Sequence, residues 1–117
     1  MSAVDSRYLS EDILREVGAD GVPIAKAGTE AEEELTRVLI DGKEDLDVTR
    51  AEADRVRVSK RLVEENPDVG AIVLECTNMP PYARSVSRAT SLPVFDIVNL
   101  TNYVYRSLMP EPFLTRA

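Results

Sequence analysis

The run Val69-Gly70-Ala71-Ile72-Val73-Leu74, continued by Glu75-Cys76-Thr77-Asn78-Met79-Pro80-Pro81, decides how the rest of the chain reads. Its first part is almost wholly apolar. A half-exposed strand alternates apolar with polar residues, whereas an unbroken apolar run suits a parallel strand covered on both faces. Pro67 stops whatever precedes it. Pro80 and Pro81 open a helix, because the first N–H groups of a helix have no intrahelical partner to lose. The run is therefore a buried strand that ends in a polar turn and passes directly into a helix.

Working outward, the helix after the turn runs to about Thr90, with Tyr82, Val86 and Ala89 inward. Pro93 to Asp96 is a second short strand, and about Leu100 to Met109 a last helix stopped by Pro110 and Pro112. Upstream, roughly Thr49 to Asn66 forms the longest helix. Thr49 and Glu52 have capping-box spacing, Ala51, Val58 and Leu62 share a face, and Val56 and Val63 widen it. Thr29 begins another helix that Gly42 ends. Ser10 caps a short first helix that stops at Gly18, and Val22 to Ala25 is a weak strand.

This order predicts an α/β protein, an open, mainly parallel Rossmann-like sheet flanked by helices, in one domain over residues 1–117. Two clear strands and one weak one are few for five helices, and no strand precedes the first helix. The expectation is an incomplete piece of a larger fold, with a strand supplied from upstream of Met1 or by another chain. The alternative is a compact three-stranded domain that covers its own edges.

Composition bounds the function. The chain has 117 residues, 44% of them hydrophobic and 30% charged, an ordinary globular balance that excludes a disordered or collagen-like chain. No apolar run approaches the roughly 18 residues of a membrane span, and Met1 to Ser10 does not read as a signal peptide. The net charge of −7 argues against nucleic acid and anionic membranes as partners. Residues 1–68 hold 18 acidic and 10 basic side chains, residues 69–117 only 3 and 4. The first part reads as solvated helices, the second as core strands plus a site. The single cysteine cannot form an internal disulfide, so a reducing, cytoplasmic setting is expected. The chain has no histidine, and so lacks the commonest general base and metal ligand.

The candidate chemistry is at Cys76. In open α/β sheets ligands bind beyond the carboxyl ends of the strands, and a helix N-terminus there favours anions and thiolates. Thr77 and Asn78 add short polar side chains suited to a bound carboxylate. The plain alternative is a small buried hydrophobe. Glu75 falls on the opposite face of its strand. Asp96, beside the same crevice, either polarises a site group or caps the last helix, and the cap is favoured.

The segments Ala71-Ile72-Val73-Leu74-Glu75-Cys76-Thr77-Asn78-Met79-Pro80-Pro81-Tyr82-Ala83 and Ser91-Leu92-Pro93-Val94-Phe95-Asp96-Ile97-Val98 resemble the carboxyl-terminal half of the aspartate/glutamate/hydantoin racemase superfamily. The resemblance implies two pseudo-symmetric α/β domains with the substrate between them. It implies a cofactor-independent, metal-free racemase or isomerase in which one thiolate removes the proton beside a carboxylate and an opposite thiol returns one. Cys76 would be the catalytic thiol of the second half, with Thr77 and Asn78 binding substrate, mainly through backbone N–H groups. Residues 97–117 would form a closing helix packed toward a first domain. The partners implied are a small carboxylate substrate and a complementary first-half domain or another chain, with a homo-oligomer as a further possibility.

This chain has one thiol where a racemase uses two, and Asn78 stands where glutamate racemases carry a histidine. Two alternatives follow: a one-cysteine decarboxylase of malonate-type acids on the same scaffold, and a non-catalytic truncated fragment that binds another chain.

Overall fold

The computed structural model describes Met1, Arg7, residues 9–29 and residues 47–113. The helix expected from Thr29 to Gly42 lies, after Thr29, outside the described residues. The described elements, in chain order, are α1 (Glu11–Glu16), α2 (Val48–Glu65), β1 (Ile72–Val73), a 3-10 turn (Pro80–Tyr82), α3 (Ala83–Thr90), β2 (Val94–Phe95) and α4 (Ile97–Leu108). The chain is thus mixed helix and strand, with a small parallel sheet of two strands.

The helix ends follow side-chain chemistry. Ser10 accepts the amide of Ile13 and starts α1. Gly18, at φ +73°, turns the chain out of it, a conformation that costs glycine nothing. Lys26 reaches back to the Leu9 carbonyl (3.0 Å) and the Glu11 carboxylate (3.2 Å), fastening the following segment to α1. That segment includes Val22 to Ala25, which forms no strand among the described residues. The long helix α2 is capped by Asp47, not Thr49: the Asp47 carboxylate accepts the Arg50 amide at 3.0 Å. Pro67 follows its end as expected.

β1 and β2 are joined by α3, so the unit is a β–α–β crossover with parallel strands. The register pairs Ile72 with Val94 and Val73 with Phe95. The Ile72 amide donates to Pro93 (3.0 Å) and the Leu74 amide to Phe95 (2.8 Å). The ladder is shorter than the apolar run that predicted it, Val69 to Leu74. On the other edge of β1, among the described residues, Met1 is paired, its ammonium donating to the Val73 carbonyl and its carbonyl accepting the Glu75 amide at 3.0 Å.

One face of the sheet carries the core. Ile72, Leu74, Met79, Tyr82 and Val86 pack with Ala51, Val58 and Leu62 of α2. Burying each of the larger apolar side chains here is worth roughly 1.5–3 kcal/mol. The inward residues expected of α2 hold, and so do Tyr82 and Val86 on the next helix, with Ala89 half-buried. Among the described residues the opposite face is exposed. Val73 and Phe95, a register pair, are both more than half exposed, and α4 buries no residue along its length. Among the described residues no helix is long and apolar enough to cross a membrane.

Candidate functional site

β1 delivers the chain to the site through alternating burial. Leu74 is buried, Glu75 exposed, and Cys76 half-buried against the core. This is the alternation that strand geometry imposes, and it sends Glu75 away from Cys76. The turn is then closed by two backbone bonds in series. The Met79 amide donates to the Cys76 carbonyl at 3.0 Å, and the Tyr82 amide to the Met79 carbonyl at 3.0 Å. Met79, wholly buried, anchors the turn from inside. Thr77 and Asn78 form its exposed tip.

Sequence reasoning placed an anion-binding helix start here, and the structure has the 3-10 turn Pro80–Tyr82 at that point. Pro80 and Pro81 occupy the first positions of the 3-10 turn and have no N–H to offer. The Ala83 amide is taken by the Pro80 carbonyl. The donors left at this helix start are the backbone amides and side chains of Thr77 and Asn78, which make no hydrogen bond among the described residues. Cys76, Thr77 and Asn78 are therefore brought together on one turn, with the sulfur half-buried and the two donors facing solvent.

Asp96 is not part of this group. Its carboxylate accepts the Asn99 amide (2.9 Å), while the Asn99 side chain accepts the Asp96 amide (3.1 Å). This reciprocal capping box starts α4 three residues before the predicted Leu100. An open cavity of about 460 Å³ lies along α4, lined by Asn99, Asn102, Tyr103, Arg106 and Ser107, and it does not include Cys76. Among the described residues no three His, Cys, Asp or Glu side chains gather as a metal site.

The residues that periodicity missed are on α2. Arg55 is wholly buried in the stripe with Ala51, Val58 and Leu62, and its guanidinium lies 5.8 Å from the Tyr82 ring centre. Its position, four residues after Ala51 and three before Val58, is the only sequence signal, and an apolar-pattern reading passes over it. One turn earlier, Glu52 accepts the Ser85 hydroxyl of α3.

No family model matches this chain, and no solved structure matches it. Among curated proteins it is similar to dimethylsulfoniopropionate lyases. It is 36% identical over 69 residues to one from Durusdinium sp. clade D, a match covering 59% of this chain and 23% of that protein. It is 39% identical over 93 residues to dimethylsulfoniopropionate lyase 6 of Emiliania huxleyi (strain CCMP1516), covering 66% of this chain and 24% of that protein. It is 41% identical over 61 residues to lyase 7 of the same organism, covering 49% and 18%. The chain spans less than a quarter of the length of the relatives it matches.

These relatives overturn the racemase reading of the sequence. They are named lyases, so neither a racemase or isomerase activity nor membership of the racemase superfamily stands as the account of this chain. The decarboxylase and fragment alternatives gain nothing from them. The physical reason for the error is that a thiol at a strand end, before a helix start, suits any reaction beginning at the carbon beside a carboxylate. The scaffold does not name the bond that breaks.

Proposed function

We propose that this chain is part of a lyase acting on dimethylsulfoniopropionate or a close sulfonium carboxylate, with Cys76 as the base. The observation that carries the reading is the similarity, 35–41% identical, to five dimethylsulfoniopropionate lyases. The chemistry of the Cys76 turn is compatible with it.

Dimethylsulfoniopropionate carries a carboxylate on one end and a sulfonium on the carbon β to it. Elimination removes a proton from the α-carbon to a thiolate, which becomes a thiol. The C–H pair forms the carbon–carbon double bond, and the β-carbon–sulfur pair leaves on dimethyl sulfide. The other product is acrylate. Removing the α-proton builds charge on the carboxylate oxygens, and amide donors stabilise that charge as it develops. Thr77 and Asn78 are the donors assigned to that carboxylate. The single thiol, a deficiency for a racemase, is sufficient here. Inversion needs groups on both faces of a carbon, whereas elimination needs one base and a leaving group.

The β1–α3–β2 crossover is the repeating unit of a Rossmann-like sheet, and we read the bare face and two-strand width as one part of such a sheet. A companion portion, from a longer polypeptide or a second chain, supplies the remaining strands and the opposite wall of the pocket. The helix from residue 97 packs toward that portion. No organic cofactor or metal is assigned to the reaction.

The test is a chimera in which this chain replaces its matched segment in the Durusdinium lyase. Headspace measurement of dimethyl sulfide from added dimethylsulfoniopropionate should show release by the chimera, and not by the isolated chain. Cys76→Ala should lower the rate by roughly 10²–10⁴-fold, the range for loss of a general base. A folded chimera that releases no dimethyl sulfide would sink the lyase reading. An active Cys76→Ala chimera would sink the role of the cysteine alone.

A further inference from the structure

A wholly buried arginine in an interhelical stripe is an expensive choice. Desolvating a guanidinium costs several kcal/mol even after the structure relaxes, and an apolar side chain of similar length fills the same space without that cost. Arg55 occupies such a place, at 0% exposure between Ala51 and Val58. One of its contacts is with an aromatic ring. The guanidinium lies over Tyr82, itself only 4% exposed, at 5.8 Å from the ring centre. Guanidinium over an aromatic face within about 6 Å is attractive, and more so when both are removed from water.

Tyr82 is the last residue of the turn that begins at Cys76. Its amide bonds the Met79 carbonyl, and the Met79 amide bonds the Cys76 carbonyl, each at 3.0 Å. A planar group pinning the Tyr82 ring therefore fixes the far end of a two-link chain whose near end carries the sulfur. The neighbouring Glu52–Ser85 hydrogen bond fastens α2 to α3 one turn away, which keeps the two helices in register for the stack.

We infer that Arg55 is a positioning residue: by stacking on Tyr82 it holds the Cys76–Tyr82 turn and sets how the Cys76 sulfur is presented. The inference deepens the reading of Cys76 as the reactive group and rests on it. It can fail separately, because its test needs no substrate.

The chain has one cysteine, so alkylation by iodoacetamide reports on a single sulfur. Under native conditions Arg55→Leu should raise the alkylation rate about threefold or more, as the half-buried sulfur is released from the core. Arg55→Lys keeps the charge but not the planar stack, and should behave like Arg55→Leu. Tyr82→Phe keeps the ring face and should label at the parent rate, whereas Tyr82→Leu should match Arg55→Leu. The Arg55→Lys/Tyr82→Leu double variant should label no faster than either single one, since both remove the same contact. Val58→Ala, a core change that leaves both Arg55 and Tyr82 in place, controls for lost stability. The proposal is overturned if Arg55→Leu labels no faster than Val58→Ala, or if the double variant multiplies the two single effects. If Arg55→Leu does not fold, Arg55→Lys decides: the parent rate in that variant overturns the proposal.

Discussion

The Met1 carbonyl accepts the Glu75 amide at 3.0 Å, on the edge of β1 that β2 leaves open. The same pairing draws the terminal ammonium against the Val73 carbonyl and buries Met1 to 7% exposure. Burial pushes this amine below its ordinary value of 8.0, and the nearby Glu75 carboxylate opposes the shift without cancelling it. A base whose folded pKa is depressed is easier to protonate when unfolded. The folded state therefore carries a penalty at low pH, and stability rises as pH climbs through the depressed value toward 8.0. Thermal melts across neutral pH should show this rise, with no histidine in the chain to confuse it. Amino-terminal acetylation, which removes the charge, should flatten the profile. A rise that survives acetylation would assign it elsewhere.

Asp96→Ala should cost about 0.5–2 kcal/mol of helix stability through loss of the cap. The effect should concentrate in α4. That helix buries none of its residues, and an unsupported helix of 12 residues is marginal in water. Far-UV circular dichroism should lose helical signal well before the cooperative melt moves. Asp96→Asn keeps an accepting oxygen and should retain most of the signal.

Ser91 ends α3 at φ +57°, in the left-handed region where a Cβ is strained, while its amide still bonds the Ser87 carbonyl at 2.8 Å. Glycine adopts this conformation freely, and the strain it removes exceeds the chain entropy it adds. Ser91→Gly should therefore stabilise the protein by about 0.5–1 kcal/mol. Chemical denaturation should show a higher midpoint at an unchanged slope. Ser91→Ala, which keeps the Cβ, should give no such gain.

The elements legible in the sequence were those set by local chemistry. Ser10, Gly18, Pro67 and the paired prolines each act through their own backbone or a partner three residues away, and each stands where it was expected. The Asp96 cap was legible on the same ground. What escaped was decided by distant neighbours. The β1 ladder covers only Ile72–Val73 of a six-residue apolar run, because strand length depends on what lies alongside. Arg55 escaped because an apolar pattern does not count a buried cation. Asp47 displaced Thr49 as the cap of α2 through equally local chemistry, although Thr49 had the capping-box spacing with Glu52. The turn that carries Cys76, Thr77 and Asn78 was legible, but the similarity to lyases was not. A base beside a carboxylate begins racemisation, decarboxylation and elimination in similar ways, and only the leaving group separates them.

Two methionines test where the core ends. Met79 is wholly buried at the base of the Cys76 turn, and Met109 is 60% exposed just past α4. Replacement by alanine removes the same atoms at both. At Met79 it forfeits the transfer energy of those atoms and leaves a cavity between Cys76 and Tyr82, a combination that costs about 2–5 kcal/mol. At Met109 no cavity forms and little surface leaves the core, so the change should stay within about 0.5 kcal/mol. Denaturant melts of the two variants should differ accordingly. Equal losses would mean that Met109 is covered in solution, and hence that the exposed apolar end of α4, with Leu108, is occupied under the conditions of the experiment. In the chimera with the Durusdinium lyase the contrast should narrow, because the companion portion toward which α4 is proposed to pack would then bury Met109 as well.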